Sequence, residues 1–198
     1  MLDLSKIQAI TLDLDDTLWP VWPTIHHAEQ TLHDWLRVHA PQTATYSQSA
    51  DVKREVRAHV QAQHADRLHD LGFLRQEAIR ESLRRAGDAP QLAEDAFAVF
   101  FEARQQVTLF DGAHEALARL AARYPLVAVS NGNADIHRIG LGPFFRHTIT
   151  ARTVDVAKPD ARIFHAAAQA LGVAPHEVLH VGDDTLLDVI AAKNAGMQ

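Results

Sequence analysis

The apolar positions of this 198-residue chain change their period twice. Residues 7–14 read I-Q-A-I-T-L-D-L, a short run of mostly apolar and β-branched residues cut off by acids, which predicts a buried strand with a polar end. From residue 23 to residue 107 the spacing is helical. It predicts helices over 25–38 with Thr24 as N-cap, over 51–68, over 73–86 with Gly87 as the stop, and over 91–105. From residue 108 onward helix and strand alternate. Helices are expected over 112–124, 159–171 and 186–195, and strands over 126–130, 148–151 and 177–181. Such alternation predicts an α/β fold, a parallel sheet covered on both faces, with the helical zone inserted after its first strand. Neither an internal repeat nor a low-complexity stretch interrupts this pattern.

Composition narrows the function. Lys and Arg number 19 against 25 Asp and Glu, a net charge of −6 without a basic run, which disfavours nucleic acid as a partner. In the inserted zone acids and bases nearly balance, as on a solvated helical bundle. The absence of cysteine excludes disulfides, Cys-ligated zinc, iron–sulfur clusters and cysteine nucleophiles, and fits a reducing compartment. No apolar run is long enough to span a bilayer, and the N-terminus lacks the apolar core of a secretory signal. A cytoplasmic protein without membrane partners is the expectation.

The chemistry is expected beyond the carboxyl ends of the strands, where ligands bind in open α/β sheets. The first strand is followed by Asp13, Leu14, Asp15, Asp16 and Thr17, and the second ends in Ser130, Asn131, Gly132 and Asn133. Lys158-Pro159 follows the third, and Gly182, Asp183 and Asp184 follow the last, with Asp188 one turn on. Carboxylates this dense raise one another's pKa, and a hard divalent cation such as Mg²⁺ relieves the repulsion. With no His or Cys at these ends a softer metal is disfavoured, and the 13 histidines are scattered. One carboxylate can act as a nucleophile, and a second, two residues on, can protonate the leaving oxygen and then activate water. Ser130 and the backbone N–H groups of Asn131 and Gly132 can hold phosphate oxygens, and Lys158 supplies a point charge. Asp16 reads as a turn or capping residue. Asp184 is expected to cap the following helix, and Asp188 to support the site by orienting Lys158 or a metal-bound water. Trp19 and Trp22 are read first as packing at a hinge, and otherwise as a stacking surface for a flat substrate.

These four segments resemble the haloacid dehalogenase (HAD) superfamily of phosphohydrolases. The first motif, DxDxT, is Asp13 to Thr17; the second is Ser130; the third is Lys158; the fourth, GDDxxxD, is Gly182 to Asp188. The resemblance implies a Rossmann-like catalytic core over 1–22 plus 108–198 and a helical cap over 23–107. It also implies Asp13 as nucleophile, Asp15 as general acid/base, Lys158 as catalytic and phosphate-binding, Ser130 and Asn131 as phosphate-binding, and Asp13, Asp15 and Asp183 as Mg²⁺ ligands. The stretches P-L-V-A-V-S-N-G-N, I-G-L-G-P-F-F and E-V-L-H-V-G-D-D are further similar to the YigB-type bacterial phosphatases, which act on flavin mononucleotide (FMN) and 5-amino-6-(5-phospho-D-ribitylamino)uracil. The cap matches that group only loosely.

The expected function is therefore Mg²⁺-dependent hydrolysis of a small phosphorylated metabolite through an aspartyl-phosphate. A phosphomutase and a 2-haloacid dehalogenase are the alternatives within the superfamily, and a non-catalytic binding module is the alternative of another class. A dehalogenase needs neither Asp15 nor Asp183, and a binding module would be expected to have lost one of the four charged residues Asp13, Asp15, Lys158 and Asp183. The resemblance also implies a further strand and helix after the Gly196 region, so a sheet edge with unpaired backbone groups is expected there.

Overall fold

The computed structural model describes residues 4–198. In chain order its main elements are β1 (Ala9–Leu12), α1 (Val21–His39), α2 (Pro41–Tyr46), α3 (Ala50–Gln63), α4 (Leu71–Ala86) and α5 (Ala93–Arg104). They continue with α6 (Ala113–Ala121), β2 (Leu126–Ser130), α7 (Ile136–Ile139), β3 (His147–Thr150), α8 (Ala151–Val154), α9 (Ala161–Leu171), β4 (Val178–Val181), a π-helical segment over Thr185–Ile190, and α10 (Ala191–Asn194). The chain separates into two compact units, 1–21 with 107–198, and 22–106.

The first unit is an α/β domain around a four-stranded parallel sheet of order β3-β2-β1-β4. Side chains alternate across a strand, and both faces of the central strands β1 and β2 are buried. Ile10, Leu12, Leu126 and Ala128 face a cluster with Leu117 of α6, Ile136 of α7 and Trp19. Ala9, Val127, Val129 and Val178 face Ile163, Phe164 and Ala167 of α9 and Ala191 and Ala192 of α10. The order makes β1 the switch point: β2 and β3 are laid down on one side of it, and β4 returns on the other. The crevice beyond the carboxyl ends of β1 and β4 is where this topology places a ligand. Gln198 meets the outer edge of β4: its N–H donates to the Val178 carbonyl at 2.9 Å, and the His180 N–H donates to its carbonyl at 2.8 Å. The expected bare edge is thus paired at that residue.

The second unit is all helical. Leu36, Ala40, Ile79, Leu83 and Ala96 form one apolar cluster, and Val56, Val60 and Leu74 another. The predicted N-cap at Thr24 is not one. Helix α1 starts at Val21, so Thr24 lies inside it and is buried. Pro23 does not break the helix because it stands in the first turn, whose N–H groups have no intrahelical acceptor. Helix α4 ends at its expected stop, with Gly87 at φ 87°, and at its start the Asp70 carboxylate accepts from the Phe73 N–H at 3.0 Å. Helix α2 was not anticipated, being one short turn after Pro41 with no apolar period of its own. Among the described residues no helix is long and apolar enough to cross a membrane.

Polar ties supplement these apolar clusters. The Glu81 carboxylate of α4 accepts from Arg84 Nη2 at 2.7 Å and from Arg85 Nε at 2.6 Å. The Arg84 hydrogen bond, joined by Arg85, outweighs partial burial and lowers the Glu81 pKa to about 2. Its folded pKa lies below the unfolded value of 4.5, so its stabilising contribution is present above that pH and is lost as pH falls toward 2. Glu81→Gln is expected to lower the melting temperature by a few degrees at pH 7, and thermal scans from pH 7 downward should show the gap to wild type closing below about pH 4.5.

Candidate active site

The loop after β1 is wound tightly by its own sequence. Asp16 adopts φ 58°, a left-handed conformation that Asp tolerates, and its N–H donates to the Trp19 carbonyl at 2.8 Å. Its carboxylate accepts from the Val21 N–H at 2.8 Å and so caps the start of α1. Asp16 is a turn and cap residue. Trp19 is fully buried, and its indole N–H donates to Asp15 Oδ1 at 2.9 Å, fixing that carboxylate. Packing is therefore the role of Trp19, while Trp22 is exposed.

Asp13 stands one residue beyond β1, its N–H bonded to the Val181 carbonyl of β4 at 2.9 Å. Its carboxylate is buried, and Oδ1 accepts from Lys158 Nζ at 2.5 Å. The same ammonium donates to Asp188 Oδ1 at 2.6 Å. Asn131 holds the Lys158 backbone on both sides: its Oδ1 accepts from the Lys158 N–H at 2.7 Å, and its Nδ2 donates to the Lys158 carbonyl at 3.0 Å. The Asn131 side chain thus serves as a clamp on the loop that carries Lys158. The buried Ser130 Oγ accepts from the Gly132 N–H at 2.9 Å, so that N–H is already engaged while the hydroxyl hydrogen can still donate.

Beyond β4 the chain wraps around Asp188. A Cβ added at Gly182 would stand under 3.0 Å from the Asp188 carboxyl group, which is why glycine is needed there. Asp184 Oδ1 accepts from the N–H groups of Leu186 and Leu187 at 2.7 and 2.8 Å, capping the π-helical segment. The Asp184 N–H in turn donates to Asp188 Oδ2 at 3.1 Å. Carboxylate oxygens of Asp13, Asp183 and Asp188 lie within 4.8 Å of one another. Both Asp188 oxygens already have donors, which leaves Asp13 and the exposed Asp183 as the better placed of the three to hold a cation. Asp15 is outside this trio. Thr17 Oγ1 donates to Asp183 at 3.3 Å, tying the first loop to the last.

Two carboxylates sharing one ammonium are pushed apart in pKa. Burial raises the Asp13 pKa to about 6, against the pull of Lys158, with Asp188 adding repulsion. Asp188 is also penalised by burial, but His180 and Lys158 together hold it at about 2. The structure therefore brings Asp13, Lys158, Asp183, Asp184 and Asp188 together beyond β1 and β4, with Ser130 and Asn131 at the end of β2. Residue-by-residue reading passed over Thr11 and His180, which join the same network: Thr11 Oγ1 lies 2.8 Å from His180 Nδ1, and His180 Nε2 lies 3.0 Å from Asp188 Oδ1. Their signal was present, as polar residues within otherwise apolar strands.

A family model described as haloacid dehalogenase-like hydrolase matches residues 7–196. The chain is 33% identical over 199 residues to the 5-amino-6-(5-phospho-D-ribitylamino)uracil phosphatase YigB of Escherichia coli, covering 98% of this chain and 83% of that one. It is 35% identical over 133 residues to a phosphoserine phosphatase of Thermus thermophilus, covering 64% and 53%. Among solved structures, a protein described as 2-haloacid dehalogenase from Pseudomonas syringae superposes with a TM-score of 0.91 at 34% identity, covering 96% of this chain and 84% of that one.

The raised pKa of Asp13 carries a stability consequence. Between pH 3.8 and about 6 the unfolded chain has lost this proton while the folded chain keeps it, so stability falls with rising pH across that window. Asp13→Asn, measured by thermal or urea unfolding in chelator, is expected to be more stable than wild type at pH 7 by up to about 3 kcal/mol. That advantage should vanish below pH 3.8.

Proposed function

The chain belongs to the haloacid dehalogenase-like hydrolase family, and from that premise we propose that it hydrolyses a small phosphomonoester through an aspartyl-phosphate formed on Asp13. In class the protein is a HAD-like phosphatase, a phosphoric monoester hydrolase. The observation that carries the mechanism is the Lys158 ammonium held between Asp13 and Asp188 at 2.5 and 2.6 Å.

Lys158 binds one oxygen of Asp13 and so aims the other at phosphorus. Attack by that oxygen forms the Asp13–phosphorus bond and breaks the ester bond, and Asp15 gives its proton to the departing oxygen. Asp15, now a carboxylate, takes a proton from water, whose oxygen attacks phosphorus and releases Asp13 and inorganic phosphate. Trp19 holds Asp15 in one rotamer through both steps. Ser130, the Asn131 N–H and Lys158 bind the non-bridging oxygens. Mg²⁺ fits the site, because the clustered ligand atoms are hard carboxylate oxygens without His or Cys. Asp13 and Asp183 would hold it, and Asp15 would contribute its backbone carbonyl, since one carboxyl oxygen takes the indole N–H and the other carries the acid proton. When bound, the ion neutralises charge on the transferring phosphoryl group.

The helical unit over 22–106 is read as the cap that selects the substrate. The similarity to YigB favours the phosphorylated ribitylaminouracil, the resemblance of the motif stretches adds FMN, and a cytoplasmic setting accords with both that substrate class and the cysteine-free sequence. The likeness to the P. syringae protein favours a second reading, carbon–halogen hydrolysis by Asp13. Halide leaves without a proton, so that chemistry would have no use for Asp15 as an acid.

Phosphate release from a panel of monoesters that includes FMN should require Mg²⁺ and should fall by about 10³-fold or more in Asp13→Asn. Halide release from 2-haloacids in place of phosphate release, or no release above the variant, would overturn the reading.

A further inference from the structure

Two polar side chains occupy positions where the packing calls for apolar ones. Thr11 and His180 are partners in register across β1 and β4. They lie on the sheet face otherwise lined by Ala9, Val127, Val178 and Phe164. Thr11 is 0% exposed and the His180 side chain 1%. Polar groups buried this deeply cost stability unless they are hydrogen-bonded, and this pair is bonded in series: Thr11 Oγ1 to His180 Nδ1 at 2.8 Å, and His180 Nε2 to Asp188 Oδ1 at 3.0 Å.

The direction of the series follows from the groups themselves. Asp188 is ionised and can only accept, so His180 Nε2 carries the hydrogen. Burial favours the neutral imidazole, whose Nδ1 is then an acceptor, so the Thr11 hydroxyl donates to it. The Phe164 ring packs edge-on against the imidazole with centroids 5.0 Å apart, which restricts its rotation. Asp188 thus selects the tautomer, and the Thr11 hydroxyl, by donating to Nδ1, fixes the ring that carries the N–H to Asp188.

Asp188 Oδ1 receives two donors, His180 and Lys158, while Oδ2 receives the Asp184 N–H. Without His180, the oxygen that faces Lys158 would be held by Lys158 alone. The carboxylate could then turn about its Cβ–Cγ bond, and the ammonium would lose its fixed distance to Asp13.

We infer that His180, oriented by Thr11, is a positioning residue that fixes Asp188 and, through Asp188, the Lys158 ammonium against Asp13. The inference rests on Asp13 being the nucleophile. It adds two residues of the strand interior that touch neither substrate nor metal.

The test combines kinetics with a measurement that needs no substrate. In protein labelled with ¹⁵N at histidine, His180 should show the Nε2–H tautomer in wild type. With Mg²⁺ and a phosphomonoester, His180→Leu should lower kcat by about 10–100-fold with KM little changed. Thr11→Val, nearly isosteric and so expected to fold, should lower kcat by less. His180→Gln, which keeps an N–H at the Nε2 position, and Thr11→Ser should recover most of the loss. Wild-type kcat in both His180→Leu and Thr11→Val, an Nδ1–H tautomer in wild type, or no recovery in Thr11→Ser would overturn the inference. A wild type that releases no phosphate counts against the phosphatase reading. In that case the tautomer still decides the orientation, Nε2–H supporting it and Nδ1–H overturning it.

Discussion

One ammonium between two carboxylates organises the α/β unit. Lys158, Asp13 and Asp188 are all buried, with N–O distances of 2.5 and 2.6 Å. Charges taken out of water are tolerated only when each finds a partner and the remaining lone pairs are satisfied. Much of the local architecture follows from that requirement. Asn131 grips the backbone on both sides of Lys158, so that the side chain leaves from a fixed point. Gly182 leaves room for the Asp188 carboxylate, and the Asp184 N–H closes on its second oxygen. The π-helical turn over Thr185–Ile190 carries Asp188, as such wide turns often do at functional sites.

The arrangement is deliberately unbalanced. Two carboxylates share one cation, and the excess negative charge falls on Asp13, which is held less firmly than Asp188. On the proposed mechanism, a nucleophile whose ionisation costs free energy is relieved when a cation or a transferring phosphoryl group arrives. The strain sits at the switch point of the sheet, where β1 and β4 run side by side. The excess charge that lowers stability and the charge the proposed chemistry uses are the same charge, a common relation between stability and function.

Legibility differed by element. The sheet strands and the Gly87 stop were readable because short apolar runs with polar ends, and a glycine after a helical period, report local physics. The start of α1 was not. Thr24 looks like a cap in sequence, but the carboxylate of Asp16, in a left-handed turn, reaches the Val21 N–H first. Asn131 was readable as a polar strand end, whereas its side-chain grip on Lys158, 27 residues away, was not. Thr11 and His180 were visible only as lapses in apolar strands, and a lapse does not say what it faces.

The sequence by itself determined the fold class and the set of charged residues at the strand ends, because strand periodicity and parallel order send those residues to one rim. It also determined the family, through four motifs in order. Only the tertiary structure decided how the acids divide their roles. Asp188 takes Lys158 and His180, Asp184 caps the turn, Asp16 caps α1, Asp13 shares the Lys158 ammonium, and Asp183 stays exposed. The reason is physical: identical carboxylates are distinguished by burial and by which donors reach them, and both depend on contacts between segments far apart in the chain.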